Sequence, residues 1–388
     1  MKVGVVTFTN TLDNYGQVVQ ALATLEYLQS RGHDASIVQP VDCRCVLKPS
    51  LGEKIRRVAD RIKGAIYRRT IGLWFPEGMK SAEAGLWQRR REKFAQFLET
   101  TIRKEAANPR RFDEFRYRHF GLVSGRCEEV LAFGYDAFCV GSDQLWGCAH
   151  SSHFLLDWVP VGIKRFSIAT STGGTMPLKR EIPAIRRALR MFEFITVREN
   201  CGIEYCCKCG RRDAIRILDP VFLVDAARYM DIAICPNRGK RHVFIYMLGS
   251  DIEIPVHEIS NFFRTKGIEV RYVESQGRDE PEEENRVDAT IEEWLGLLAN
   301  AAYVITNSFH GMAMSIIFHK PFLVFELVGL MAYMNGRIRD LATQMCLESR
   351  IYKGDLQAMF NPVDWKRADE CIATNRKKVD RLIKGIET

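Results

Sequence analysis

An α/β fold with parallel sheets in two halves is predicted by two observations. Short β-branched apolar runs alternate with segments of helical period, and most of the runs end in polar residues, as buried parallel strands do. A length of 388 residues accommodates two domains at roughly 100 to 200 residues each. Residues 3–8 read as a strand, 9–15 as a loop, and 17–30 as a helix ended by Gly32. A strand at 35–38 completes a βαβ unit, whose crossover must be right-handed. After a basic helical region, strands are predicted at 136–140, 165–169, 194–197 and 215–218. Turn formers at 235–240 mark a linker. Beyond it come strands at 242–248, 269–273, 303–306 and 322–325, helices at 254–265, 291–298 and 312–318, and an exposed acidic loop at 279–284. The expected domains are 1–235 with the basic insertion, 236–365, and a C-terminal helix at 366–388 packing back on the first domain.

Composition narrows the function. Hydrophobic residues at 46% and charged residues at 27% exclude a wholly disordered chain. The longest apolar stretch, 322–334, contains Glu326 and is too short to span a membrane. Asn10 and Asp13 interrupt the N-terminal apolar run before a signal-peptide core could form, so a cytoplasmic location is expected. The twelve cysteines are then expected as free thiols. Cys201, Cys206, Cys207 and Cys209 lack the paired C-x-x-C spacing of structural zinc sites, and no metal is expected.

The net charge of +8 is uneven, because residues 44–126 carry 21 Lys and Arg against 9 Asp and Glu. Within that region Ile55, Val58, Ala59, Ile62 and Ile66 form an apolar stripe on an otherwise basic helix. Such a helix covers a core or rests on an anionic membrane, giving peripheral contact at the inner membrane face as a second expectation. No reading module for nucleic acid is recognisable.

In open α/β sheets, ligands gather at the carboxyl ends of strands, where helix N-termini offer free amides to anions. Polar clusters fall at those points: Asn14 with Gly16, Ser142-Asp143-Gln144, Ser171, Arg198-Glu199, and Asn307-Ser308 ahead of His310. The absence of G-x-G-x-x-G and of G-x-x-x-x-G-K-S/T at these points weakens dinucleotide and P-loop readings. His310 is either a hydrogen-bonded structural residue or a proton donor and acceptor near neutral pH. Arg198 is either a salt-bridge partner or a guanidinium fork for phosphate or carboxylate. Asn14 and Ser142 can serve simply as helix caps, and Asp143 as a cap, a base or an orienting partner. Trp146 reads as a wall residue. His150, His153 and His319 show no spacing tied to catalysis.

Taken in order, Asp13-Asn14-Tyr15-Gly16 with Gln20-Ala21, Val140 to Trp146, Thr196-Val197-Arg198-Glu199, Leu218-Asp219-Pro220 and Ile305 to Gly311 resemble the polysaccharide pyruvyl transferase family. The resemblance runs from about Lys2 to Lys320. It implies two Rossmann-like domains facing a cleft, a GT-B-like arrangement. It further implies transfer of the pyruvyl unit of phosphoenolpyruvate onto sugar hydroxyls as a ketal, with phosphoenolpyruvate as donor substrate and no other cofactor. The acceptor would be a polysaccharide or a lipid-linked oligosaccharide precursor, as in exopolysaccharide biosynthesis. His310 then stands as general acid and Arg198 as donor-binding residue, with Asp143 or Glu199 as base. Asn14, Gly16, Ser142, Gln144, Ser171, Asn307 and Ser308 are expected to line the substrate. Some family members carry Arg-Leu before the histidine, where this chain has Ser308-Phe309. One donor-binding cation is therefore missing at that point. Two rivals use the same scaffold: a nucleotide-sugar-dependent glycosyltransferase, and a non-catalytic carbohydrate-binding protein.

Overall fold

The computed structural model describes residues 1–9, 11–41, 110–147, 151–235, 239–248, 256–274, 286–327, 332 and 334–387. The chain divides into two compact units, Met1–Arg44 with Pro109–Thr388, and Cys45–Asn108. The second lies outside the described residues, and with it the basic helix expected around Ile55 to Ile66; so do His150 and the acidic stretch at 279–284.

In the first unit, β1 (Lys2–Val6) leads to α1 (Tyr15–Ser30) and β2 (Asp34–Val41). Next come α2 (Phe112–His119), β3 (Val123–Arg126), α3 (Cys127–Leu131), β4 (Ala137–Val140) and β5 (Lys164–Ser167). The sheet order is β3-β2-β1-β4-β5 and every pairing is parallel. A short parallel pair, β6 (Thr196–Val197) with β7 (Ile215–Arg216), continues the layer through bridges Phe166 to Phe194 and Thr170 to Val197. Strand order reverses between β1 and β4, which makes the carboxyl ends of those strands the switch point of a Rossmann-like sheet.

Four further parallel strands follow: β8 (His242–Met247), β9 (Glu269–Glu274), β10 (Tyr303–Thr306) and β11 (Phe322–Val324), in the order β11-β10-β8-β9. Here the order reverses between β8 and β10, placing a second switch point at Leu248 and Asn307. The fold is thus α/β with two Rossmann-like sheets, as the sequence predicts.

Three helices that the sequence pattern does not predict are short. They are α4 (Ile182–Leu189), α5 (Asn200–Lys208) and α6 (Ala226–Ile232), and only two or three side chains of each of the first two are buried, so their period is weak. The second sheet is flanked by α7 (Val256–Arg264), α8 (Ile291–Ala299), α9 (Phe309–Ile317) and α10 (Gly336–Met345). Helix α8 begins with a capping box, Thr290 accepting from Glu293 N while Glu293 accepts from Thr290 N. Helix α9 starts at Phe309, three residues before the expected start, because Ser308 caps it by accepting from Gly311 N.

Helix α11 (Lys366–Glu387) crosses back to the first sheet. Its buried stripe, Ala368, Ile372, Val379, Ile383 and Ile386, belongs to the same apolar cluster as Val3, Val5 and Leu22. Asp380 accepts from Tyr27 Oη at 2.8 Å and from Arg31 Nε at 2.9 Å, and Lys164 Nζ donates to Ile386 O at 2.6 Å. Cys127 is disulfide-bonded, against the expectation of free thiols; among the described residues eight other cysteines are free. Among the described residues no helix is long and apolar enough to cross a membrane.

Candidate active site

The two switch points meet at one buried carboxylate. Asp219 follows β7 and opens a 3-10 turn, Pro220–Leu223, by accepting from Val221 N through Oδ1 at 3.1 Å. Its other oxygen, Oδ2, accepts from Arg198 Nη1 at 2.6 Å and lies 2.9 Å from Ser142 Oγ. Oδ2 also lies 3.5 Å from His310 Nε2, which is ion-pair distance without hydrogen-bond geometry. Burial pushes the Asp219 carboxyl up, but His310 and Arg198 outweigh burial and hold it well below the usual carboxylate range. It stays ionised beside the imidazole.

Arg198 leaves the end of β6 and is 5% exposed. Its guanidinium lies 4.6 Å from the Phe309 ring centroid, and Nε is 3.6 Å from Glu199 Oε2. Burial disfavours its charge, yet Asp219, Glu199 and Asp143 together raise its pKa. Nε and Nη2 remain buried without a hydrogen-bond partner. A guanidinium in that state has donors for a ligand but a charge already balanced by protein carboxylates.

Glu199 anchors the next loop: its Oε1 accepts from Ser171 Oγ at 2.8 Å and from Thr172 N at 2.7 Å. Asp143 has φ +83°, a left-handed conformation rare outside glycine and often found at functional sites. Its Oδ1 accepts from Gln144 N and its Oδ2 from Gln17 Nε2 at 3.1 Å. Ser142 Oγ, besides its contact with Asp219, lies 3.0 Å from Ala169 O and receives Arg198 Nη1 at 3.3 Å. Ser142 therefore belongs to the charge cluster and caps no helix. Gln144 packs against Gly173, where any Cβ would strike its side chain.

Several residues expected to touch substrate are placed by other work. Asn14 caps α1, accepting from Gln17 N at 3.2 Å. Gly16 lets α1 approach α9, since a Cβ there would lie 2.5 Å from Cγ of His310. Asn307 ties the second switch point together, accepting from Leu248 N at 2.7 Å and donating to Leu248 O at 3.0 Å. Ser308 is occupied as the α9 cap. Trp146 is a wall residue, donating to Phe154 O at 3.1 Å. His319 pairs with Asp369 and stacks on Trp365, and His153 packs on Phe154.

Asp219 and Arg337 were not among the expected site residues. A cavity of about 10 Å³, room for roughly one water, is lined by Arg198, Leu218, Asp219, Phe309, Arg337, Asp340, Leu341 and Gln344. Arg337 brings a second cation to it from the first turn of α10. His310 does not line this cavity; it reaches Asp219 from the α1 side. The Asp219 signal was present in Leu218-Asp219-Pro220, a polar residue at a strand end, whereas nothing in the sequence marks Arg337. Among the described residues no group of three His, Cys, Asp or Glu is placed to hold a metal ion. Cys206 and Cys209 are core residues whose thiols burial pushes up to about 12 and about 11.

No curated protein matches the chain. Among solved structures it is similar to UDP-GlcNAc 2-epimerase of Methanocaldococcus jannaschii in complex with UDP-GlcNAc and UDP. The TM-score is 0.40 at 12% identity, covering 96% of this chain and 99% of that one. It is similar to UDP-GlcNAc 2-epimerase of Neisseria meningitidis bound to UDP-GlcNAc, with TM-score 0.40, 11% identity and coverage of 100% and 92%. Acinetobacter baumannii MurG gives TM-score 0.38, 10% identity and coverage of 97% and 95%. The polysaccharide pyruvyl transferase family model matches residues 14–327, a span that takes in Asp143, Arg198, Asp219 and His310. The chain therefore belongs to the polysaccharide pyruvyl transferase family, and so to transferases acting on polysaccharides.

Proposed function

We propose that the protein transfers the pyruvyl unit of phosphoenolpyruvate onto two hydroxyls of a sugar, forming a ketal and releasing phosphate. The observation that carries this reading is the shared Asp219 oxygen, which holds a cation from the first half and an imidazole from the second within 3.5 Å. Such a carboxylate is the partner an imidazole needs while it holds a proton for delivery. His310 protonates the methylene carbon of the enol, and the resulting oxocarbenium is attacked by one sugar hydroxyl, whose proton goes to a base. Phosphate then departs with its electron pair, and the second hydroxyl closes the ketal, losing its own proton.

Asp143 is the better base, because Gln17 Nε2, a side-chain donor, can rotate away from Oδ2. Glu199 is 2% exposed and committed to Thr172 N. The donor's negative charges are met by the unpartnered donors of Arg198, by Arg337, and by the N-terminal turns of α1, α5 and α9. Arg337 thus supplies the cation that Ser308-Phe309 does not. Entry of a donor requires the cavity to open, and Arg337 and Phe309 are the side chains that would move. The acceptor is a polysaccharide or a lipid-linked precursor, and the basic stretch at 44–126 suits it to an anionic membrane surface.

Incubation with phosphoenolpyruvate and candidate glycans, read by phosphate release and by mass spectrometry for a pyruvate ketal, tests the reading. Nucleoside diphosphate release from an activated sugar, with phosphoenolpyruvate untouched, would establish the glycosyltransferase instead.

A further inference from the structure

Next to the Arg198 cavity, and sharing Leu218 and Gln344 with it, lies a separate groove of about 660 Å³. Small-molecule sites occupy roughly 300 to 1,000 Å³. Arg216 of β7, Gln344 of α10, and Arg367, Glu370, Asn375 and Lys378 of α11 stand around it. Three cations therefore face one carboxylate, and Glu370 is 3.7 Å from Arg367, its neighbour one turn away. Among the described residues, neither Arg216 nor Lys378 has a carboxylate within ion-pair distance.

Both are held by neutral groups. Arg216 Nη1 donates to Asn200 Oδ1 at 2.9 Å, and in the amide orientation its neighbours require, Gln344 Oε1 accepts from Arg216 Nη2 at 2.7 Å. Lys378 Nζ donates to Arg216 O at 3.0 Å. Burial, and then the Arg216 guanidinium, lower the Lys378 pKa, as expected for a cation beside another cation. An independent observation comes from Asn375, a lining residue that is 7% exposed. Its Oδ1 accepts from Leu218 N at 2.9 Å, while its Nδ2 is buried without a hydrogen-bond partner. A buried donor left unpaired costs free energy, and beside unneutralised cations its natural complement is an anionic oxygen.

We propose that this groove is a second anion site, which binds a phosphate group next to the donor cavity. The phosphate belongs either to a sugar phosphate, the form in which an activated acceptor would arrive, or to the phosphate released by the reaction. The identity of these sources rests on the proposed function; the site itself does not.

Isothermal titration of the full chain with glucose 1-phosphate, inorganic phosphate and methyl glucoside tests it without turnover. Phosphate-bearing probes should bind and methyl glucoside should not; tighter glucose 1-phosphate assigns the site to acceptor, and inorganic phosphate alone assigns it to product. Asn375→Asp keeps the acceptor for Leu218 N and replaces the donor by a negative charge. That variant, and the exposed Lys378→Gln, should each weaken binding about tenfold or more. Arg337→Gln, at a residue that lines the neighbouring cavity and not the groove, should leave it unchanged. Absence of binding by either phosphate probe, or binding that Arg337→Gln abolishes and both groove variants leave intact, overturns the proposal. Failure of phosphoenolpyruvate turnover with groove binding intact would bear on the proposed function alone.

Discussion

Gly16 and His310 are so close that a Cβ on the glycine would lie 2.5 Å from the imidazole Cγ. The first helix and the histidine helix are therefore packed backbone to ring, and the ring has no room to yield toward α1. Gly16→Ala must displace the imidazole or part the helices. Overpacking of this kind costs about 1–3 kcal/mol, and a misplaced catalytic group loses roughly 100-fold in rate. Phosphate release from phosphoenolpyruvate, read beside the melting temperature, should show the rate falling further than stability explains.

Removal of the proton donor is the sharper test. His310→Ala should lower turnover by roughly 100- to 10,000-fold, the usual contribution of a positioned general acid. Circular dichroism should show the fold retained. Turnover at the wild-type level would remove the imidazole from the reaction.

Asp219→Asn should destabilise the protein by about 3–5 kcal/mol near pH 7, because it takes from the buried Arg198 guanidinium its nearest carboxylate. The sign of its pH dependence follows from the direction of the shift. Burial raises the Asp219 carboxyl and His310 with Arg198 more than offset that, so its folded value lies below the ordinary unfolded value of about 3.9. Its stabilisation is complete above the unfolded value and disappears as pH falls toward the folded one. Urea unfolding should find the gap between wild type and variant narrowing as pH falls from about 5 to about 3. A gap that widens with acid would contradict the charge assignment.

Alkylation kinetics should separate the thiols of α5 and its end. Burial keeps Cys206 and Cys209 protonated at about pH 8, so both should react slowly, whereas exposed Cys207 should react readily. Peptide mass spectrometry after a timed pulse of iodoacetamide gives the comparison. Equal labelling of all three would show that the core around Cys206 opens.

The parallel sheets were legible because residues such as Val3 to Val6, Tyr303 to Thr306 and Phe322 to Val324 are apolar, β-branched or aromatic runs with polar ends. Strand β3, Val123–Arg126, was not, since it alternates half-buried and exposed residues at the sheet edge and carries no apolar run. The start of α9 at Phe309 is masked in the sequence because His310 and Gly311 interrupt the apolar period that the Ser308 cap overrides. Within the site, Arg198 and His310 could be picked out as charged or titratable residues at strand ends. Their convergence on Asp219 could not, because it depends on two switch points being brought together in space. For Asn307 the sequence shows a polar residue at a strand end but not its partner: the backbone of Leu248 engages both ends of its amide.

Helix α11 lends its apolar stripe to the layer built from β1 and α1. During synthesis the ribosome makes those first elements more than 300 residues before the helix that covers them. An emerging N-terminal half would hold an open apolar face through all that time, and its closure would be among the last folding events. Cleavage ahead of Lys366 should accordingly unsettle the earliest-made strands, far off in sequence from the cut.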